Sequence, residues 1–293
     1  MRIDTHQHFW KRSDGFYDWL TPDLGAIYRD FAPEDLAPHL LEHDIAHTVL
    51  VQAAPSYEET KKLLSLGGRT DFVKAVIGWI DMDSADAVHN LATLTEDPLF
   101  KGIRPMAQDL DDPDWLIRSS HGPVYERLIS DQLVFEALVR PAQWSALLEL
   151  AQRYKSLSIV VDHGAKPAIR NGMDGDGGFS EWAPMIDDLA AHPHVSCKLS
   201  GLLTEAAPGA GLNEIRPYLD HLYACFGPDR LMWGSDWPVL GLRADYGAWV
   251  AMFDAWLADK PKDAQEKILS RTAATKYGIS LFSTSTEDQK VEA

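Results

Sequence analysis

The chain has 293 residues, 45% hydrophobic and 24% charged, which is enough apolar material for one sizeable core and too evenly mixed for a disordered or fibrous protein. Its 27 basic and 44 acidic side chains leave a formal charge of -17, which repels phosphate backbones and anionic membrane surfaces and argues against nucleic acid or membrane as partners. The two cysteines, Cys197 and Cys225, sit in apolar runs without a C-x-x-C arrangement, so neither a disulfide framework nor a zinc ribbon follows. The N-terminus lacks the apolar core of a secretory signal, and no apolar run approaches the ~20 residues of a membrane span; the expected location is the cytoplasm.

Eight β-rich runs follow one another along the chain, at approximately residues 2–9, 47–54, 73–81, 100–106, 133–140, 157–163, 195–201 and 230–236. Helical patterns alternate with them. Between Ser145 and Tyr154, Leu147, Leu148 and Ala151 repeat at helical spacing opposite Glu149, Gln152 and Arg153; from Tyr246 to Leu257, Trp249, Met252, Phe253 and Trp256 form an apolar stripe. Repeated βα units predict a parallel sheet, and eight of them predict a single-domain (β/α)8 TIM barrel over residues 1–282 with a polar tail at 283–293. An open doubly wound sheet also alternates strands and helices, but no Gly-x-Gly-x-x-Gly follows a strand, which removes its commonest rationale. Three long connections, 10–35, 107–130 and Gly172–Gly178, each follow the carboxyl end of a strand, the face on which a barrel carries its chemistry. They are expected to wall or cover a pocket, although the glycine stretch reads equally well as surface decoration.

The chemistry concentrates at strand ends. In Asp4-Thr5-His6-Gln7-His8-Phe9 two histidines stand two apart on a strand, so both imidazoles face the barrel interior, where sharing a cation or polarising one oxygen gives them a use that packing does not. The run Ile159-Val160-Val161-Asp162-His163-Gly164 ends in a histidine suited to the same site, though such a histidine beside an aspartate is as often a local hydrogen-bonding pair. On the last strand, Trp233-Gly234-Ser235-Asp236-Trp237-Pro238 places a carboxylate at the rim; the alternative for Asp236 is a turn or cap.

These segments, with Lys101-Gly102-Ile103-Arg104-Pro105, Asp162-His163-Gly164-Ala165-Lys166-Pro167 and Cys197-Lys198-Leu199-Ser200-Gly201-Leu202, resemble the sugar-lactonase branch of the amidohydrolase superfamily over about residues 1–280. The likeness is nearest to L-fuconolactonase-type enzymes and more distant to 2-pyrone-4,6-dicarboxylate lactonases. It implies hydrolysis of a sugar-derived 1,4- or 1,5-lactone to its aldonic acid, with Asp236 as general base. His6, His8 and His163, together with Asp236, would bind one divalent metal, zinc first, or the histidines would polarise the carbonyl themselves. Some relatives work without a metal, and the residues that bridge two metals in the fullest superfamily pattern are not evident, with Lys198 standing where a ligand histidine would be sought.

Arg104 and Gln108 are expected to hold substrate oxygens, as the matching motif suggests, although Arg104 also reads as the partner of a nearby carboxylate. Lys198 and Lys166 are candidates for hydroxyls or the product carboxylate. A lysine inside a barrel strand is costly unless paired, and Glu136 is either its structural partner or a further metal ligand. Trp10 and Trp237 either wall a sugar ring or pack. The partner expected is thus a small neutral sugar lactone, and a homo-oligomer is compatible with the sequence. Competing readings are a metal-dependent non-oxidative decarboxylase of the same superfamily, a pyrone-dicarboxylate-type lactonase and a non-catalytic barrel that binds a sugar acid.

Overall fold

Each β-rich run forms a strand in the computed structural model, which describes residues 1–281; the tail expected at 283–293 lies outside the described residues. The strands are β1 (Arg2–Gln7), β2 (Ile45–Val51), β3 (Val73–Gly78), β4 (Phe100–Ile103), β5 (Val134–Ala137), β6 (Ser158–Val161), β7 (Val195–Leu199) and β8 (Leu231–Trp233). They pair in parallel in sequence order, β1 to β8. Gln7 bridges Trp237, and the amides of His8 and Asp236 donate to Trp237 O and His6 O, both at 2.8 Å, so β8 returns to β1 and the barrel closes. The strands end earlier than the sequence runs because the final residues of each run leave the ladder to form the rim.

Strand parity explains the core. Val49 and Val51, Ala75 and Ile77, with Val134, Val160 and Met232, fill the barrel interior, while their neighbours Leu50, Val76, Ile159 and Leu231 face the helices. Around them run α1 (Pro33–Glu42), α2 (Tyr57–Gly67), α3 (Ala87–Leu94), α4 (Gly122–Ser130), α5 (Trp144–Arg153), α6 (Phe179–Ala190), α7 (Leu202–Glu205), α8 (Leu212–Phe226) and α9 (Tyr246–Leu257). Helix α9 begins at an Asp245 cap, whose side chain accepts the Ala248 amide at 2.7 Å, and buries Trp249, Phe253 and Trp256; Met252 is only half-buried. In α5 the buried face carries Leu147, Leu150 and Ala151.

Helices α10 (Lys262–Glu266) and α11 (Thr272–Tyr277) follow the eighth βα unit. Ala273, Tyr277 and Ile279 pack into the interior cluster, and Lys276 Nζ donates to Ser158 Oγ at the start of β6, 3.1 Å away. The last helix therefore plugs the barrel at its amino-terminal mouth and leaves the opposite mouth for function.

Of the three long connections, 10–35 contains two short 3-10 turns, Arg12–Asp14 and Pro22–Ile27, and the second packs on a like turn, Val239–Leu242, beyond β8. The glycine stretch folds back on itself through Ala168 N–H to Gly177 O at 2.8 Å and Gly178 N–H to Gly175 O at 2.7 Å, and lines no part of the cavity described below. It is surface structure. Among the described residues no helix is long and apolar enough to cross a membrane.

Candidate active site

An open cavity of about 250 Å³ lies at the carboxyl ends of the strands, with His8, His163, Asp236 and Arg104 in its lining. Three imidazoles converge on one carboxylate oxygen: the Nε2 atoms of His6, His8 and His163 are 3.7, 3.5 and 3.8 Å from Asp236 Oδ1. Ring centroids are 4.9 Å apart for His6 and His8 and 4.4 Å for His6 and His163.

Local backbone departures make this convergence. Ile3 and His6 both face inward although they are three apart, because the register of β1 against β2 slips between Asp4, opposite Thr48, and Gln7, opposite Leu50. Such a bulge re-aims side chains beside active sites. In β6, parity sends Val160 and Asp162 inward; His163 reaches the cavity because residues 163–166 all take positive φ, between 50° and 62°. Asp236 is likewise left-handed at φ 60°. Held by non-glycine residues, this conformation costs about 1–2 kcal/mol each, and surrounding contacts must maintain it. Gly201 is one such neighbour: with φ +63°, a Cβ there would stand 2.4 Å from His163 Nδ1.

Asp4 laces the seam between first and last strands. Its Oδ1 accepts the amides of Ser235 at 2.8 Å and His6 at 3.2 Å, and its Oδ2 accepts the Tyr246 hydroxyl at 2.8 Å. Burial lifts its carboxyl to about 6 despite these bonds.

Beneath the imidazoles lies a buried polar chain. Tyr277 OH donates to Glu136 Oε1 at 2.7 Å, and Lys198 Nζ donates to Glu136 Oε2 at 2.6 Å. The same ammonium is 3.3 Å from Asp162 Oδ1 and 3.2 Å from His6 Nδ1. Burial raises the Glu136 carboxyl against the pull of Lys198; burial opposes ionisation of Asp162 too, but Lys198, His163 and Arg104 together hold it below its ordinary value. Arg104 donates to Gln52 O and sets Nη1 3.2 Å from His6 Nε2 and 3.6 Å from Asp162 Oδ2. Burial keeps all three imidazoles on the neutral side, His6 and His163 far below their usual value, reinforced by Lys198 at His6 and by His6 at His163.

The donor set suits a metal. His8 Nδ1 donates to Val51 O at 2.8 Å and His163 Nδ1 pairs with Ser200 Oγ at 2.9 Å, which turns both Nε2 lone pairs toward Asp236. His6 Nδ1 lies between Lys198 Nζ at 3.2 Å and Asp162 Oδ1 at 3.4 Å. The 3.5–3.8 Å donor spacing is close to the edge of a tetrahedral zinc shell, about 3.3–3.4 Å for zinc–nitrogen bonds of about 2.0–2.1 Å. His6, His8 and Asp236 form one group of mutually close donors, and His6, Asp162 and His163 another. Asp162, in the second group, is already paired with Lys198 at 3.3 Å and Arg104 at 3.6 Å, which makes the first group, open to the cavity through His8 and Asp236, the better place for an ion.

Several expected residues are placed differently. Lys198 is fully buried below the imidazoles and does not line the cavity, because Glu136 and Asp162 hold it inside the barrel. Trp10 donates Nε1 to Arg29 O and packs on Phe31, and Trp237 packs on Phe9 and Phe31; neither lines the cavity. The aromatic wall is Trp19, anchored by Nε1 to Ala53 O at 2.7 Å. Gln108 and Lys166 do line it, the latter 3.3 Å from Glu205. Arg140 lines it as well, although no motif in the sequence singles it out, and Asp162 points inward as the alternation from Val160 signals.

An amidohydrolase family model matches residues 3–279, and the chain belongs to the amidohydrolase family. It is 48% identical over 255 residues to an L-fucono-1,5-lactonase of Burkholderia ambifaria, spanning 85% of this chain and 86% of that protein. It is 32% identical over 292 residues to an L-fucono-1,5-lactonase of Burkholderia multivorans, spanning 95% and 96%. Among solved structures, an amidohydrolase from Burkholderia multivorans with bound zinc superposes with a TM-score of 0.88 at 30% identity, over 96% of this chain and all of that one.

Proposed function

We propose that this chain opens the ring of a sugar-derived lactone, L-fucono-1,5-lactone foremost, to the corresponding aldonic acid. It is a lactone-hydrolysing enzyme acting on a carboxylic ester bond. The observation that carries the reading is the convergence of three neutral imidazoles on Asp236 Oδ1 at the cavity floor, in a chain 48% identical to an L-fucono-1,5-lactonase.

Asp236, 4% exposed at the cavity, is placed to take a proton from water as the water oxygen attacks the lactone carbon. The carbonyl π electrons move to its oxygen, where the Arg104 guanidinium in the cavity lining supplies preorganised positive charge. When the intermediate collapses, the ring C–O bond breaks and the proton held by Asp236 passes to the departing alkoxide. One water is consumed, and the new carboxylic acid ionises to release a proton to solvent. His6, His8, His163 and Asp236 would hold a divalent ion, for which imidazole with carboxylate makes zinc a good match; such an ion supplies Lewis-acid polarisation and a more acidic water. A neutral lactone suits the cavity better than a dicarboxylated pyrone, because Arg104 is committed to Gln52 and the imidazoles, leaving Arg140 as the uncommitted guanidinium of the lining.

A pH-indicator assay on a panel of aldonolactones tests this. L-fucono-1,5-lactone should release acid above the uncatalysed background, and Asp236→Asn should lower kcat by about 10²–10⁴-fold. Chelation followed by metal analysis shows whether the imidazoles act through an ion. A protein that opens no lactone overturns the reading.

A further inference from the structure

The cavity mouth is two-sided, and the barrel order says how. Because β8 closes on β1, the connections that follow these two strands are neighbours at the rim: Leu24 and Ile27 come from the first, Val239 and Leu242 from the second. The two turns touch, since a Cβ on Gly241 would meet Ile27 Cγ2 at 3.6 Å. Together they present a continuous apolar arc beside Asp236, without a charged side chain of their own in the lining. Across the mouth, the ends of β4 and β5 add the polar Gln108, Asp109 and Arg140 to the apolar Met106 and Leu138, so the hydrogen-bonding groups of the rim lie on that side. There Gln108 Oε1 is buried without a hydrogen-bond partner, and the Arg140 guanidinium makes no ion pair among the described residues. The unpaired Gln108 acceptor is the kind of group that a ligand's own donor completes, and the Arg140 guanidinium stands exposed beside it.

A 6-deoxyaldono-1,5-lactone has the same two-sidedness. Starting from the carbonyl carbon, one direction round the ring meets the hydroxyls on C2, C3 and C4, and the other meets the ring oxygen and then C5 with its methyl group. Resting on the lactonase reading above, we propose that Leu24, Ile27, Val239 and Leu242 read the C6 position and select a methyl there. Gln108, Asp109 and Arg140 take the C2–C4 hydroxyls. With the carbonyl at Asp236, this orientation puts the departing ring oxygen on the β8–β1 side.

The test compares kcat/KM for L-fucono-1,5-lactone with that for L-galactono-1,5-lactone, which differs only by a C6 hydroxyl. The wild type should favour the 6-deoxy substrate by about 10-fold or more, within the roughly 10²-fold reach of an apolar pocket against an added hydroxyl. Leu242→Asn, and Val239→Thr as a companion of nearly unchanged volume, should bring the ratio at least 5-fold closer to one, chiefly by raising KM for the 6-deoxy substrate. Arg140→Leu should raise KM for both lactones alike and keep the ratio. A wild-type ratio near one, with both lactones hydrolysed, overturns the C6 assignment alone, as does an unaltered ratio in both wall variants with native circular dichroism. No hydrolysis of either lactone by the wild type overturns the lactonase reading and this inference with it.

Discussion

Lys198 shows what one side chain can demand of its surroundings. A lysine on a barrel strand has no water, so its ammonium must be neutralised where it sits, and Glu136 at 2.6 Å with Asp162 at 3.3 Å does so. Truncating it strands two carboxylates in the core. Lys198→Met should lower the unfolding free energy in urea by about 3–5 kcal/mol. The double variant Lys198→Met, Glu136→Gln should lose less than the single one, because only Asp162 then remains uncompensated; an equal or greater loss would mean that the pair does not act as a unit.

At the level of elements, the same left-handed backbone serves two purposes. At His163 and Asp236 it turns a side chain from strand parity into the cavity, and its cost is the price of the site. At Gln132, exposed beyond the end of α4 with φ 56°, it only reverses the chain. Gln132→Gly should therefore stabilise the fold by about 1 kcal/mol in thermal or urea unfolding and leave lactone turnover unaltered. A destabilised variant would show that the Gln132 side chain contributes more than its backbone costs. The bulge in β1 belongs with the first group: without the slip between Asp4 and Gln7, the pairing parity would turn His6 and His8 away from the barrel axis.

For the whole molecule, buried acid groups set the pH response above the ordinary histidine range. Glu59 is buried at the start of α2, where its carboxyl accepts the amides of Ala53 and Ala54, and burial raises it to about 7; Asp4 is raised to about 6. Both bind a proton more tightly folded than unfolded, so the stability they contribute is complete below pH ~4 and is lost as the pH rises through about 6 and 7. The net charge of -17 at pH 7 adds self-repulsion in the same direction. The depressed imidazoles of His6, His8 and His163 oppose this trend below their ordinary value of 6.5, so the melting temperature at low salt should fall between about pH 6.5 and pH 8, and Glu59→Gln should flatten part of that slope. An identical slope in the variant would remove Glu59 from the account.

The barrel, its eight strands and the grouping of His6, His8 and Asp236 as candidates were legible in the linear chain, because hydrophobic alternation and strand-end polar residues are local signals that repeat with each βα unit. Helix faces were legible for the same reason, with single misplacements such as Leu148 for Leu150. Contacts between distant segments were not. That Lys198 turns down to Glu136 rather than up to the cavity depends on a carboxylate 62 residues away, and that Trp19 rather than Trp10 walls the cavity depends on a bond to Ala53. His163 joins the site only through its positive φ, held beside Gly201. Periodicity along the chain reports which way a side chain faces if the strand stays regular; bulges, left-handed turns and charge pairing across the barrel are settled by the partners that folding brings together.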